Sequence, residues 1–285
     1  MNFSMLVIKT KNELLGELKK IDGTLDLGLV PTMGALHEGH KSLIKKAISE
    51  NKKVVVSIFV NPTQFNNQED LAKYPKTIDS DIHLISSISE DIIIFAPTVS
   101  EIYPEKVTPK IYDFSGLDKV MEGEFRDDHF NGVGTIVEEL FKVIKPKRAY
   151  FGEKDFQQLR IIQKLTEIQK LPVEIVGCEI VREKNGLAMS SRNERLSDKV
   201  RLKAAFIIET LKTAKDKFGM ENALCIKNWV KYKFENSEEF QLEYFEIADI
   251  ETLTPIKSKN NNVKYRAFIA VYAEGVRLID NIALN

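Results

Sequence analysis

The chain has 285 residues, with 41 lysines and arginines against 42 aspartates and glutamates, a net charge of -1, 43% hydrophobic and 29% charged residues. This excludes a disordered tail and a fibrous protein, and charge so near balance offers no basic footprint for nucleic acid or an anionic membrane. Cys178 and Cys225 make neither a disulfide framework nor a zinc-ligand spacing and suit a reducing, cytoplasmic setting, while the length suggests two domains of roughly 100–200 residues each. The longest apolar runs, such as VVVSIFV at 54–60, are too short to span a bilayer, and no signal peptide is read in MNFSMLVIKTKNELL.

Taken in chain order, LDLGLVPTM (25–33) reads as a strand ending in a turn and HKSLIKKAISENKK (40–53) as a helix. KVVVSIFV (53–60) is a buried strand by its unbroken apolar run. A helix over 81–90 leads to the strand DIIIFAP (91–97), stopped by Pro97. In 132–145, Val133, Ile136, Val137, Leu140, Phe141 and Ile144 share one helical face, with Pro146 just beyond. A short strand (148–151), a helix (155–170) and a strand (173–181) follow. The alternation predicts a Rossmann-like α/β fold over 1–181, a parallel sheet with helices on both faces. After residue 181 the rhythm changes. Asn185-Gly186 is a hairpin-type turn, Ser197 caps a long helix ending at Gly219, a second helix runs through Trp229, and strands follow at 241–250 and 265–280. Residues 182–285 are therefore expected to form a smaller α+β lid domain, whose movement could bring Arg192 onto the phosphates.

Four segments carry chemistry. In PTMGALHEGHKSL (31–43) a strand meets a helix through a tight turn, where the helix start offers N–H groups and a positive dipole end to a phosphate. Gly34 and Gly39 let the backbone approach a nucleotide, and His37 and His40 can share one side of the first turn, where an imidazole can donate to a phosphate oxygen. A zinc site is poorly supported, because no third ligand is near. In FVNPTQF (59–65), Asn61 and Gln64 sit at a strand's carboxyl end, where carboxamides can orient a hydroxyl or carboxylate without an ion pair. In GEKDFQQL (152–159), Lys154 can meet a triphosphate, Asp155 can bond a ribose or cap the helix, and Gln158 lies one turn in. In AMSSRN (188–193), two hydroxyls and a guanidinium make a phosphate clamp or a polar linker between the domains. Asp79 and Asp81 suit either a magnesium ion or a helix N-terminus, and His129 reads as structural. No Ser-His-Asp or Cys-His nucleophile is present in the pattern.

HEGH resembles the His-x-Gly-His signature of the nucleotidylyl-transferase superfamily. PTMGALHEGH, IFVNPTQF, HFNGVGTIVEELF, AYFGEKDFQQL and AMSSRN, in this order and spacing, resemble the pantothenate synthetases, the pantoate–β-alanine ligases, from about residue 25 to 196. The resemblance implies an AMP-forming ligase that joins pantoate to β-alanine with ATP through a pantoyl adenylate, with Mg²⁺. It places ATP on Met33, Gly34, Ala35, Leu36, His37, Glu38, Gly39 and His40, and on Gly152, Glu153, Lys154 and Asp155. Val181 matches an adenine-side contact, and Met189, Ser190, Ser191 and Arg192 match the clamp. Pantoate is implied at Asn61, Gln64 and Gln158, and catalysis at His40, His37, Lys154 and Arg192, with Asp81 the candidate for the metal. His40 matches the residue treated as a proton donor; the physical reading is a hydrogen-bond donor. A homodimer is implied, with no nucleic-acid or membrane partner.

Overall fold

The protein is described by a computed structural model covering residues 5–21, 26–66 and 68–285. Leu25, at the start of the first expected strand, and residues 1–4 of the N-terminal stretch lie outside the described residues. Strands β1 (Val7–Ile8), β2 (Leu27–Thr32), β3 (Lys53–Ile58), β4 (Ile93–Phe95), β5 (Arg148–Gly152) and β6 (Glu174–Cys178) form one sheet in the order β1-β4-β3-β2-β5-β6. Every pairing is parallel, with Leu29 opposite both Val55 and Ala149. The chain builds outward from β2 on one side, then returns to lay β5 on the other. The strand order therefore reverses between β2 and β5, and their carboxyl ends open a crevice there.

Side chains alternate across this sheet, and both faces are covered. Leu29, Val55 and Phe95 pack with helices Lys11–Leu18, His129–Ile144 and Phe156–Ile168. Val30, Val54, Val56 and Ile94 pack with helices Glu38–Glu50 and Ile78–Ser86 on the opposite face. The edge strand β1 and helix Lys11–Leu18 were not anticipated. Two residues show no periodicity, and the helix is fixed by a reciprocal cap in which Glu13 N–H donates to Thr10 Oγ1 and Thr10 N–H to Glu13 Oε2.

The second part of the chain carries helices Asp198–Lys203, Ala205–Phe218 and Ala223–Glu235 on an antiparallel sheet of β7 (Gln241–Asp249), β8 (Tyr265–Ala273) and β9 (Val276–Ala283). The single helix expected after Ser197 is two, because Ala204 flattens to ψ -7 between them. Ser197 still caps the first, accepting from Val200 N–H at 3.4 Å. The far face of this sheet lies on the first sheet's helices, with Phe268 6.0 Å from Phe156 and the Arg266 guanidinium 4.1 Å over the Phe156 ring.

Charge crosses the same boundary. Arg277 on β9 binds the Glu122 carboxylate at 2.7 and 2.8 Å and Glu243 at 2.8 Å, while Tyr244 donates to Glu122 at 2.7 Å. Burial alone would raise the Glu122 carboxyl, but the Arg277 pair pulls it down to about 2. Among the described residues, no helix is long and apolar enough to cross a membrane. Among the described residues, removing Arg277 leaves the buried Glu122 carboxylate with only the longer 3.5 Å contact to Arg126 to offset its charge, so Arg277→Ala is expected to cost about 3–5 kcal/mol in denaturant unfolding.

Candidate active site

The turn between β2 and helix Glu38–Glu50 is held from outside. Gly34 and Ala35 both adopt positive φ, 80° and 50°. Asp81, 2% exposed, accepts from Ala35 N–H at 3.0 Å and Leu36 N–H at 2.7 Å, and Thr77 donates to its oxygens at 3.3 Å. Asp81, the candidate metal ligand, is thereby engaged as a clamp on this turn. Gly34, Ala35 and Leu36 form the support behind the site, and the Glu38 side chain is 61% exposed against Lys41. Met33, His37, Gly39 and His40 reach the cavity wall.

His37 caps the helix with its own ring: Gly39 N–H donates to His37 Nδ1 at 3.1 Å, and His37 N–H donates to His40 Nδ1 at 3.3 Å. The helix start thus spends two of its free N–H groups on imidazoles instead of presenting them to a ligand. Gly39 serves this fold-back, because a Cβ there would lie 2.8 Å from His37 Cε1. The rings stand 4.1 Å apart between centroids, tilted by 43°. Burial, and then the Lys154 charge, lowers His37 to about 4; burial, His37 and Lys154 lower His40 to about 3. Both rings are therefore neutral at pH 7. With Nδ1 accepting, each ring carries its proton on Nε2.

Asn61 and Gln64 lie in the turn that follows β3, 1% and 8% exposed. Helix His129–Ile144 presses on this turn so closely that a Cβ on Gly132 would fall 2.2 Å from the Thr63 carbonyl oxygen. Asn61 Nδ2 donates to the Gly132 carbonyl at 3.0 Å and to Gln64 Oε1 at 3.1 Å, and Gln64 Nε2 contacts Met33 Sδ at 2.9 Å. His129 is structural, as expected: Nδ1 lies 2.9 Å from the Gln64 carbonyl oxygen, and burial lowers its pKa to about 3.

The turn Glu153–Asp155 follows β5. Gly152, Lys154, Asp155 and Gln158 line the cavity. Glu153 instead turns to Arg266, at 3.2 Å. Asn281, 2% exposed on β9, donates both amide hydrogens into this turn, at 2.9 Å to the Glu153 and 2.9 Å to the Lys154 carbonyl. Sequence reading did not find Asn281; its signal was the adjacent polar Asp280-Asn281 pair within the strand VRLIDNIA, where the pair interrupts the apolar Leu278, Ile279 and Ile282.

The clamp is docked rather than loose. Met189 N–H donates to the Val181 carbonyl at 3.0 Å, and Ser190 Oγ accepts from Arg192 N–H at 3.3 Å. The Arg192 guanidinium binds Asp70 at 2.8 Å and sits 5.6 Å from the Tyr74 ring centre, Arg195 binds Asp70 at 3.2 Å, and Tyr74 and Ser191 share a 3.3 Å hydroxyl contact. Asp70 and Tyr74 were not picked out from sequence, since nothing local ties them to a loop more than a hundred residues away. Val181, Met189, Ser190, Ser191 and Arg192 all border the same cavity of about 230 Å³ as the two histidines, Asn61 and Gln64. One wall thus offers neutral N–H donors, another cations, and a third carboxamides.

The model of the Pantoate-beta-alanine ligase family matches residues 6–283. The pantothenate synthetase of Christiangramia forsetii is 56% identical, covering 99% of this chain and 100% of the relative, and that of Flavobacterium psychrophilum is 53% identical, covering 99% and 100%. The crystal structure of pantothenate synthetase from Thermus thermophilus aligns with a TM-score of 0.90 at 37% identity over 98% of this chain and 99% of that one. The pantoate-beta-alanine ligase of Francisella tularensis, solved in complex with beta-gamma ATP and beta-alanine, aligns with a TM-score of 0.78 at 34% identity over 99% and 98%.

The depressed histidine pKa values fix a pH dependence. The unfolded chain, with imidazoles near 6.5, takes up protons that the folded chain refuses. Stability from the neutral pair is complete above about pH 6.5 and is lost as pH falls towards the folded values. Nitrogen-15 NMR is expected to show both rings as Nε2–H tautomers at about pH 7 with no titration above about pH 5, and thermal unfolding midpoints to fall across that acid range.

Proposed function

The chain belongs to the pantoate-beta-alanine ligase family, and we propose that its central cavity condenses pantoate with β-alanine at the expense of ATP, through a pantoyl adenylate. The observation that carries this reading is the pair of neutral imidazoles at the β2–helix corner, sharing one cavity with Lys154, Arg192 and the buried carboxamides of Asn61 and Gln64. Two further supports are the family match and the ATP compound and β-alanine held by the Francisella relative.

Joining a carboxylic acid to an amine in water requires an activated acid. In the first step a pantoate carboxylate oxygen attacks the α-phosphorus of ATP, forming the acyl–phosphate bond as the bond to pyrophosphate breaks. In the second, the β-alanine amine attacks the acyl carbon, the bond to AMP breaks, and the amine proton leaves to solvent. No enzyme nucleophile is needed; the protein contributes position and charge stabilisation. His37 and His40 donate Nε2–H bonds to phosphate oxygens as negative charge grows there, and Lys154 and Arg192 answer the charge on the departing pyrophosphate. Neutral carboxamides at Gln64 and Gln158 hold pantoate without an ion pair that would blunt its attack. Asn61, buried and bonded on every side, acts on pantoate mainly by holding Gln64.

Magnesium fits this site as part of the substrate. Among the described residues no three acidic, histidine or cysteine groups converge, and the cation is expected on the triphosphate oxygens, with Asp155 and Glu179 the carboxylates on the cavity wall. Residues 1–181 then form the nucleotide- and pantoate-binding domain and 182–285 its cover. The buried contacts of Arg277 and Asn281 favour a fixed cover, with closure confined to the 188–193 segment that trades Asp70 for phosphate.

The deciding experiment is pantoate-dependent exchange of pyrophosphate into ATP, followed by AMP release that requires β-alanine. His40→Ala is expected to slow the exchange about 10²–10³-fold, as for loss of one transition-state donor; an unchanged exchange rate removes the imidazole pair from the chemistry. Gln64→Ala is expected to raise the KM for pantoate well above any change for ATP. Equal losses for both substrates would move Gln64 away from the acid.

A further inference from the structure

Tyr103 lies just beyond helix Val99–Ile102, buried, with its ring 6.3 Å from Phe59. Its hydroxyl donates to Asn61 Oδ1 at 2.6 Å, while Thr63 Oγ1 lies 3.0 Å from the same oxygen and 3.1 Å from the Tyr103 hydroxyl, so its one proton can go to either. Burial raises the phenol above its ordinary 10, so it keeps the proton it donates. At the other end of the Asn61 carboxamide, Nδ2 donates to the Gly132 carbonyl, which can only accept, and to Gln64 Oε1. The Tyr103 donor and the Gly132 backbone acceptor therefore fix which way the Asn61 amide faces, with Thr63 Oγ1 a second donor within reach. That in turn fixes Gln64: its oxygen turns inward to Asn61, and its NH₂ turns out to the cavity wall. There, among the described residues, it meets the Met33 thioether at 2.9 Å, a weak acceptor.

The polarity of that outward group decides what the pocket accepts. A carboxylate can only accept hydrogen bonds and matches an NH₂. The primary amide of the same acid has nearly the same shape but offers its own NH₂. With Gln64 reversed, its carbonyl oxygen would face a carboxylate oxygen and repel it. A site built to bond one of two isosteres discriminates far more strongly than one that merely fits their shape.

Taking Gln64 as the pantoate contact of the proposed reaction, we infer that Tyr103 is a positioning residue: acting through Asn61, it sets the direction of the Gln64 carboxamide and so makes the pocket choose a carboxylate over its amide isostere. The relay joins the end of helix Val99–Ile102 to a cavity that Tyr103 does not line.

The test is calorimetric binding of pantoate and pantoamide, each in the presence of a non-hydrolysable ATP analogue, to the unaltered protein, to Tyr103→Phe and to Asn61→Asp. The unaltered protein is expected to prefer pantoate. Tyr103→Phe keeps the ring and removes one of two donors to Asn61, and is expected to reduce that preference about three- to tenfold. Asn61→Asp leaves a group that can only accept towards Gln64, so Gln64 turns its NH₂ inward. The preference is then expected to fall at least about tenfold further, or to invert. Affinity for the ATP analogue alone, unchanged within about twofold, shows that each variant is folded. Variants that keep the original pantoate-to-pantoamide ratio, or weaken both ligands equally, overturn the inference and leave Tyr103 a packing residue. An unaltered protein that does not bind pantoate overturns the functional reading itself, and the relay's role with it.

Discussion

The site depends on two backbone amides that donate to imidazole nitrogens, Gly39 N–H to His37 and His37 N–H to His40. These bonds do what charge could not. Two imidazolium ions with centroids 4.1 Å apart, next to a lysine, would repel one another, and burial adds a desolvation cost to each charge. Holding both rings neutral removes the repulsion, and occupying Nδ1 leaves a single donor on each ring, Nε2–H. The donors are then in place before any phosphate arrives, so nothing has to reorganise as charge develops on it. The geometry also explains the glycine between the histidines, since His37 folds its ring back over the position a side chain would fill.

The remaining walls follow from the sheet. Reversal of strand order between β2 and β5 places the carboxyl ends of β2, β3 and β5 around one opening, and each ends in a different chemical group. β2 delivers the imidazoles, β3 the carboxamides and β5 the lysine. Keeping the β3 wall to neutral carboxamides suits a reaction whose nucleophile is itself a carboxylate. A cation paired tightly with that carboxylate would stabilise the ground state as much as the transition state and gain nothing. Cations facing the departing pyrophosphate act where charge increases.

Much of this was legible in the sequence for a local reason. The unbroken apolar runs of β3 and β4, the amphipathic face of His129–Ile144 and the histidine–glycine turn each express themselves within about a dozen residues. What stayed hidden is carried by contacts between distant segments. Asp81 suited a metal ion and a helix N-terminus equally, because a carboxylate in a helix's first turn is ambiguous until its partners, the amides of residues 35 and 36, are known. Asp70 and Tyr74 gained meaning only when the chain brought Arg192 to them. The break at Ala204 was invisible because alanine is the best helix former, and packing of both helices on the β7–β9 sheet overrode the preference.

The C-terminal sheet belongs to the active site as much as the strands of the first sheet do. Asn281 grips the two carbonyls of the turn that aims Lys154, its own amide oxygen accepts from Arg266, and Arg266 in turn reaches Glu153. A cover that swung away as a rigid body would break these bonds, strip the buried Glu122 of Arg277 and disorder the lysine turn at the moment substrate enters. In the proposed reaction water must be kept from the acyl adenylate, so some element has to close. The 188–193 segment is suited to it. The Arg192–Asp70 pair that ties it down is part-exposed and exchangeable for a phosphate oxygen at little cost, whereas Asn281 is 2% exposed and holds two backbone carbonyls, a role no substrate group takes over. Closure by a short clamp over a fixed floor would also keep the imidazole pair, the carboxamides and the lysine at constant separation through both steps of the proposed reaction.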